Sequence, residues 1–167
     1  TIEPNIFLLT NYKIMKIVLA IDGSDFSKTA VEQLNRMNLP PNTEIHVINV
    51  YEFPTALGPE LMATGGSLNN YFEEFISGAQ KVGEKIISEA SDTLKNINKT
   101  LTITTSVVSG LPKNVILEKA EEWDADLIVV GSQGQGALSR LLLGSVSQYL
   151  ATHARCSVMI ARDKSNG

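Results

Sequence analysis

Three glycines, a serine and an aspartate carry the first chemical signal in this chain. Gly131 and Gly134 come directly after the apolar run Leu127-Ile128-Val129-Val130, and nine residues separate Gly134 from the pair Gly144-Ser145. Glycines let backbone N–H groups approach an anion with no Cβ in the way. A helix opening at Gly144-Ser145 adds unpaired N–H donors and a partial positive charge. The Ser145 hydroxyl can cap that helix or bond a ligand oxygen. These are the parts of a phosphate cradle. Asp22 ends an earlier apolar run, Lys16-Ile17-Val18-Leu19-Ala20-Ile21, and can bring a carboxylate to the same ligand.

The same residues admit blander readings. Gly131, Gly134 and Gly136 can form a plain strand–helix turn, and Asp22 can do no more than start a helix. Gly134-Gln135-Gly136 resembles the opening of a dinucleotide fingerprint. Ser139 stands where its third glycine belongs, however, and the segment follows the fourth strand rather than the first. No G-x-x-x-x-G-K-[S/T] occurs, which excludes a P-loop. His46 and His153 have no Cys, His or carboxylate at metal-ligand spacing and read as structural. Cys156 reads as a buried, inert thiol, and Trp123 as packing at a helix end.

A cradle of this kind needs a strand–turn–helix frame, and the hydropathy pattern supplies one. A buried strand is expected over 16–22, then a helix capped by Ser24 that buries Phe26, Ala30, Leu34 and Met37. Pro40-Pro41 stops it. A second strand covers 44–51, and a long loop, 52–70, follows. Its 62–66 stretch reads as either a lid over a ligand or a disordered segment. Apolar residues from Phe72 through Val82 and Leu94 to Ile97 recur at three- and four-residue steps, which predicts a long helix. Leu101, Ile103, Thr105 and Val107 alternate as in a half-buried edge strand. Pro112 sits near the start of a helix with Val115, Ile116, Ala120 and Trp123 inward. A strand over 126–130, a helix over 144–153 and a strand over 157–161 complete the pattern. The order βαβαβαβαβ implies an α/β fold, a three-layer α/β/α sandwich around a mainly parallel five-stranded sheet. Ligands of such sheets sit beyond the carboxyl ends of the strands where strand order reverses. If the first and fourth strands are neighbours there, Asp22 and the glycine turn share one crevice.

Length and composition narrow the setting. The 167 residues suit one domain; 43% are apolar and 19% charged, with net charge −4 and pI about 5.2. No Lys/Arg cluster stands out, which argues against a nucleic-acid partner. No apolar run nears the roughly 20 residues that span a bilayer, and the N-terminal stretch lacks the basic start of a signal peptide. A single cysteine excludes an internal disulfide and suits a reducing, cytoplasmic setting. Residues 1–14 read as an N-terminal extension, with Met15-Lys16 as a natural start. The domain is expected over 15–163 and a polar tail over 164–167.

The chain resembles the universal stress protein family from Met15 onward. The glycine signature of that family's ATP-binding branch, G-x-x-G, nine residues, then G-[S/T], is met by Gly131, Gly134, Gly144 and Ser145. Asp126 to Ser132 and Leu142 to Ser147 also resemble that family, Val18 to Ser24 its opening strand, and His46-Val47 its second strand. The resemblance implies a sheet of order 3-2-1-4-5, an adenine nucleotide alpha hydrolase-like, Rossmann-like arrangement, with an ATP site. It implies that Ala20, Ile21 and Asp22 border the nucleoside and that Val47 offers main-chain bonds to adenine. Val130, Gly131, Gly134, Gly144, Ser145 and Val146 would line the ribose and phosphates. Family members commonly dimerise through the last strand, which here would pair Val158 and Ile160 with their two-fold mates. Between the glycine pairs only Arg140 could add a cation, so charge neutralisation falls to Mg²⁺ arriving with ATP, Asp22 being its one candidate ligand.

Three function classes follow. The first is a nucleotide-dependent regulatory stress-response module with slow or no ATP hydrolysis, since no positioned base, cationic clamp and metal site are evident together. The second is an adenylating or phosphotransfer enzyme on the same pocket. The third is a stress protein whose pocket takes AMP, a cyclic nucleotide or nothing.

Overall fold

The computed structural model describes residues 13–53, 68–135 and 143–162. The elements run β1 (Lys16–Ala20), α1 (Asp25–Asn35), β2 (Glu44–Tyr51), α2 (Leu68–Ile97), β3 (Thr102–Ser109), α3 (Pro112–Glu122), β4 (Leu127–Gly131), α4 (Ser145–His153) and β5 (Ser157–Ala161). The sheet order is β3-β2-β1-β4-β5 and every pairing in it is parallel. This is the expected three-layer, Rossmann-like α/β sandwich of order 3-2-1-4-5, with β1 and β4 side by side at the switch point.

Strands β1 and β4 read as unbroken apolar runs because both of their faces are covered. Ile17, Leu19, Ile45, Val47 and Val129 face α1 and α2, where Leu34, Ile87 and Leu94 close a first core. Val18, Ala20, Ile48, Ile128 and Val130 face the other way, against Ile116, Ala120 and Leu150 of α3 and α4. Each fully buried aliphatic side chain is worth about 1.5–3 kcal/mol, so the pleat alternation of the central strands holds both helical layers. At the edge, β3 is half-buried at best, as its threonines suggested.

Helix boundaries follow local chemistry. Ser24 caps α1, its hydroxyl accepting from the Ser27 N–H at 3.2 Å. Pro112 opens α3 at its first turn. Some expected inward positions turn outward. Helix α1 ends at Asn35, leaving Met37 outside it and 38% exposed, while Val31 takes the buried place. Val82 and Ile97 on α2 are exposed because the face against the sheet runs through Gly83, Ile87, Ala90 and Leu94. A Cβ on Gly83 would lie 2.6 Å from both Asn49 Oδ1 and Val107 Cγ1, so glycine lets α2 settle directly on the sheet. Thr105, placed with the apolar positions of its strand by alternation, is exposed. Among the described residues no helix is long and apolar enough to cross a membrane.

Candidate functional site

A cleft of about 530 Å³ opens at the carboxyl ends of β1, β2 and β4, beneath the start of α4. That size lies within the range of small-molecule sites. Its walls divide by chemistry. Ile48 and Val50 of β2, with Pro112 and Ile116 of α3, make an apolar slot. Gly131, Gly134, Gly144, Ser145 and Val146 make a backbone-rich wall. Because β2 and β4 flank β1, slot and cradle stand on opposite sides of Ala20, Ile21 and Asp22.

The cradle is held by its own hydrogen bonds. Gly144 is the N-cap of α4, and its N–H donates to the Ser132 carbonyl at 2.8 Å. The Ser147 hydroxyl, almost fully buried, lies 3.0 Å from the same carbonyl and 2.9 Å from that of Gly144. No side chain caps α4 and no acid occupies its first turn. The early N–H groups of this helix thus meet the cleft without an internal anion. Ser145 is the first helical residue rather than the cap, and it lines the cleft. Gly131 brings β4 against α1: a Cβ there would stand 2.7 Å from the Phe26 carbonyl carbon.

Asp22 is the one charged side chain among the described lining residues. Its Oδ1 accepts the Ser24 N–H at 3.0 Å and its Oδ2 the Gln135 N–H at 2.9 Å. The Gln135 side-chain amide returns a bond to the Asp22 carbonyl. Behind Asp22, the buried Asn49 amide donates to the Ile21 carbonyl at 2.8 Å and fixes the end of β1.

Of the residues singled out in the sequence, Ala20, Ile21, Asp22, Val130, Gly131, Gly134, Gly144, Ser145 and Val146 all reach this wall. Val47 does not. It is fully buried in the core under α1 and α2. The Ile48 carbonyl accepts from the Ile21 N–H at 3.0 Å, so main-chain groups at 48 face β1 and those at 47 face β3. Two residues on, Val50 has the orientation of Ile48 and lies past the end of β1, at the cleft. The period-2 pattern of β2 gives Ile48 and Val50 one orientation, but where β1 stops beside them decides which meets the cleft. Ser27, Gln133 and Leu143 also line the cleft unforeseen.

The remaining candidates sit elsewhere. His46 is 7% exposed, with Nδ1 2.8 Å from Thr104 Oγ1 and Nε2 2.9 Å from Ser106 Oγ. Burial first, and Lys119 second, push its pKa down to about 4. Trp123 caps the end of α3 and meets the His46 ring edge-on at 5.8 Å. His153 stacks on Tyr149 at 4.0 Å. Cys156 is partly buried, and burial raises its thiol pKa, which disfavours the reactive thiolate. Among the described residues no group of three or more His, Cys, Asp or Glu could hold a metal ion. Arg140 and the 62–66 stretch lie outside the described residues.

A doubly wound parallel sheet with a glycine-lined cleft at its switch point is a Rossmann-like binding fold. The chain belongs to the universal stress protein family, whose sequence pattern it matches over residues 13–162. The universal stress protein YxiE of Bacillus subtilis is 31% identical over 154 residues, covering 88% of this chain and 98% of that protein. The solved structure of the hypothetical protein MJ0577 superposes with a TM-score of 0.75 at 20% identity, covering 91% and 97% of the two chains. A universal stress protein solved in complex with cAMP superposes at 0.60 with 26% identity, covering 89% and 97%.

Proposed function

We propose that this chain binds an adenine nucleotide, ATP foremost, and acts as a nucleotide-dependent regulatory module of the stress response with slow or no hydrolysis. The observation that carries the reading is the junction, in one cleft, of an apolar slot, a carboxylate and an uncapped helix N-terminus behind a glycine turn. The base lies between Ile48, Val50, Pro112 and Ile116, where Val50 presents main-chain groups in the role sequence similarity assigned to Val47. Ala20, Ile21 and Asp22 border the ribose. Val130, Gly131, Gly134, Gly144, Ser145 and Val146 receive the phosphates, as N–H donors at a helix start do for anions. Mg²⁺ enters with the phosphates. The residues fit that arrangement only in part, because both Asp22 oxygens already accept N–H bonds.

The functional unit spans 15–163, with 1–14 and 164–167 outside it. Strand β5 ends the sheet with Val158 and Ile160 half-buried, and two-fold pairing there gives a homodimer and covers an uncharged edge. A single free cysteine accords with a cytoplasmic setting. AMP or cyclic AMP is the second reading, favoured by the relative solved with cAMP.

The test is mass spectrometry of small molecules released by heat from the purified protein, then calorimetric titration with ATP, AMP and cyclic AMP, with and without Mg²⁺. Co-purified ATP, or ATP bound more tightly than the others, supports the reading. Preference for AMP or cyclic AMP moves the signal to that nucleotide. A protein that binds none of them refutes the proposal, and turnover above about one per second would make it an ordinary enzyme.

A further inference from the structure

We propose that Asp22 is a positioning residue whose carboxylate clamps the glycine turn into its phosphate-receiving shape, and that Gly134 is a glycine because that carboxylate fills the space of a side chain. The proposal rests on the nucleotide reading above and adds what shapes the site.

Gly134 does not need glycine for its backbone, since its φ lies outside the left-handed region. It needs glycine for space. A Cβ at 134 would stand 2.7 Å from Asp22 Oδ2 and 3.8 Å from Asp22 Cγ, and among the described residues beyond its chain neighbours it would meet no other heavy atom within 4 Å. No real Cβ tolerates 2.7 Å, so the carboxylate would have to move. It has little freedom to do so. Oδ2 holds the Gln135 N–H at 2.9 Å, Oδ1 holds the Ser24 N–H at 3.0 Å, and the Gln135 amide ties back to the Asp22 carbonyl. Two bonds therefore join the turn after β1 to the turn after β4, across 113 residues of sequence, and the third fixes the carboxylate within its own turn. A bond from N–H to carboxylate is a charge-assisted one and among the stronger kinds. A side chain at 134 would break it and release the glycine turn from β1.

Clamping and direct ligation predict different outcomes. A carboxylate bonding the ribose would be felt by adenosine and ATP alike. A carboxylate that only shapes the phosphate turn would be felt by ATP and not by adenosine.

The experiment is a double-mutant cycle of Gly134→Ala and Asp22→Ala, with Asp22→Asn as a milder partner, read in two ways. Urea unfolding of the ligand-free protein tests the clamp without any nucleotide. Gly134→Ala should lower the midpoint in the wild-type background and leave it nearly unchanged once Asp22 is truncated. Calorimetry then compares ATP with adenosine. Each single variant should weaken ATP at least tenfold and adenosine less than threefold, with Asp22→Asn, which keeps one acceptor oxygen, intermediate. Additive unfolding effects would overturn the proposal, as would equal losses for adenosine and ATP. If the wild type binds no nucleotide, the functional reading fails, and the unfolding cycle still decides the clamp.

Discussion

Acid should weaken this fold through His46 in a defined window. The imidazole is 7% exposed and wedged between Thr104, Ser106 and the edge of Trp123. Each hydroxyl can accept from a ring N–H or donate to a bare ring nitrogen, so hydrogen bonding does not oppose a proton. Burial does, and so does Lys119, which is why the folded-state pKa falls from 6.5 to about 4. Lys16, whose ammonium lies 5.7 Å from the Trp123 ring centroid, adds positive charge to the same corner. Between pH 6.5 and about 4 the unfolded chain binds the proton and the folded chain refuses it. Stability from this group is therefore complete above pH 6.5, declines as pH falls, and is exhausted near pH 4. At about 1.4 kcal/mol per pH unit, that interval amounts to about 3 kcal/mol. The assay is urea unfolding of wild type and His46→Gln at pH 7, 5.5 and 4. The difference in unfolding free energy between the two should shift by about 3 kcal/mol toward the variant across that range. A difference constant within about 0.5 kcal/mol, well below the linkage expected, would refute the argument.

Other perturbations follow from the cleft and the sheet edge. Gly131→Ala drives a methyl into the Phe26 backbone, with carbon and oxygen at 2.7 and 2.8 Å; because backbone must yield, a loss of about 1–3 kcal/mol is expected in urea unfolding. Ser147→Ala removes the hydroxyl between the Ser132 and Gly144 carbonyls; it should lower stability by about 1 kcal/mol and weaken ATP in calorimetry, whereas unchanged affinity would show that the first turn of α4 holds its place unaided. Ile160→Lys, with circular dichroism as a check on folding, should convert a dimer to monomer in sedimentation velocity, and an unchanged dimer would exclude pairing through β5.

How much could be read in advance depended on whether the deciding forces were local. Strand β4 and its glycines were legible because a strand buried on both faces leaves a continuous apolar run, and because backbone approach to an anion demands glycine at set places. The start of α3 was written in Pro112, and the cap of α1 in Ser24. Choices made between distant segments were hidden. Whether Val47 or Val50 meets the cleft depends on where β1 stops beside β2, which no stretch of β2 records. Pro112 and Ile116 became cleft walls only because α3 packs over the ends of β1 and β2. Met37 and Val82 have the right hydropathy for a core and the wrong place on their helices. The strand order already suggested that Asp22 and the glycine turn share a crevice, but the bond between Asp22 and Gln135 within it was not legible.

The pairing of β1 with β4 also governs how this protein can be made. The Asp126 carboxylate meets the Lys16 N–H from 110 residues away, and Ile17 lies beside Leu127. During synthesis at about 5–20 residues per second, roughly 5–20 s pass between the emergence of these two strands. Strands β1, β2 and β3 can associate in that interval, but one flank of β1, with Val18 and Leu19, has no neighbour until β4 arrives. A strand buried on both faces in the finished molecule is thus the open edge of the nascent one, the kind of edge on which chains aggregate. Chains arrested just before Leu127 are expected to be captured by a holdase chaperone and cut readily by protease, and those arrested beyond Ala161 to resist both.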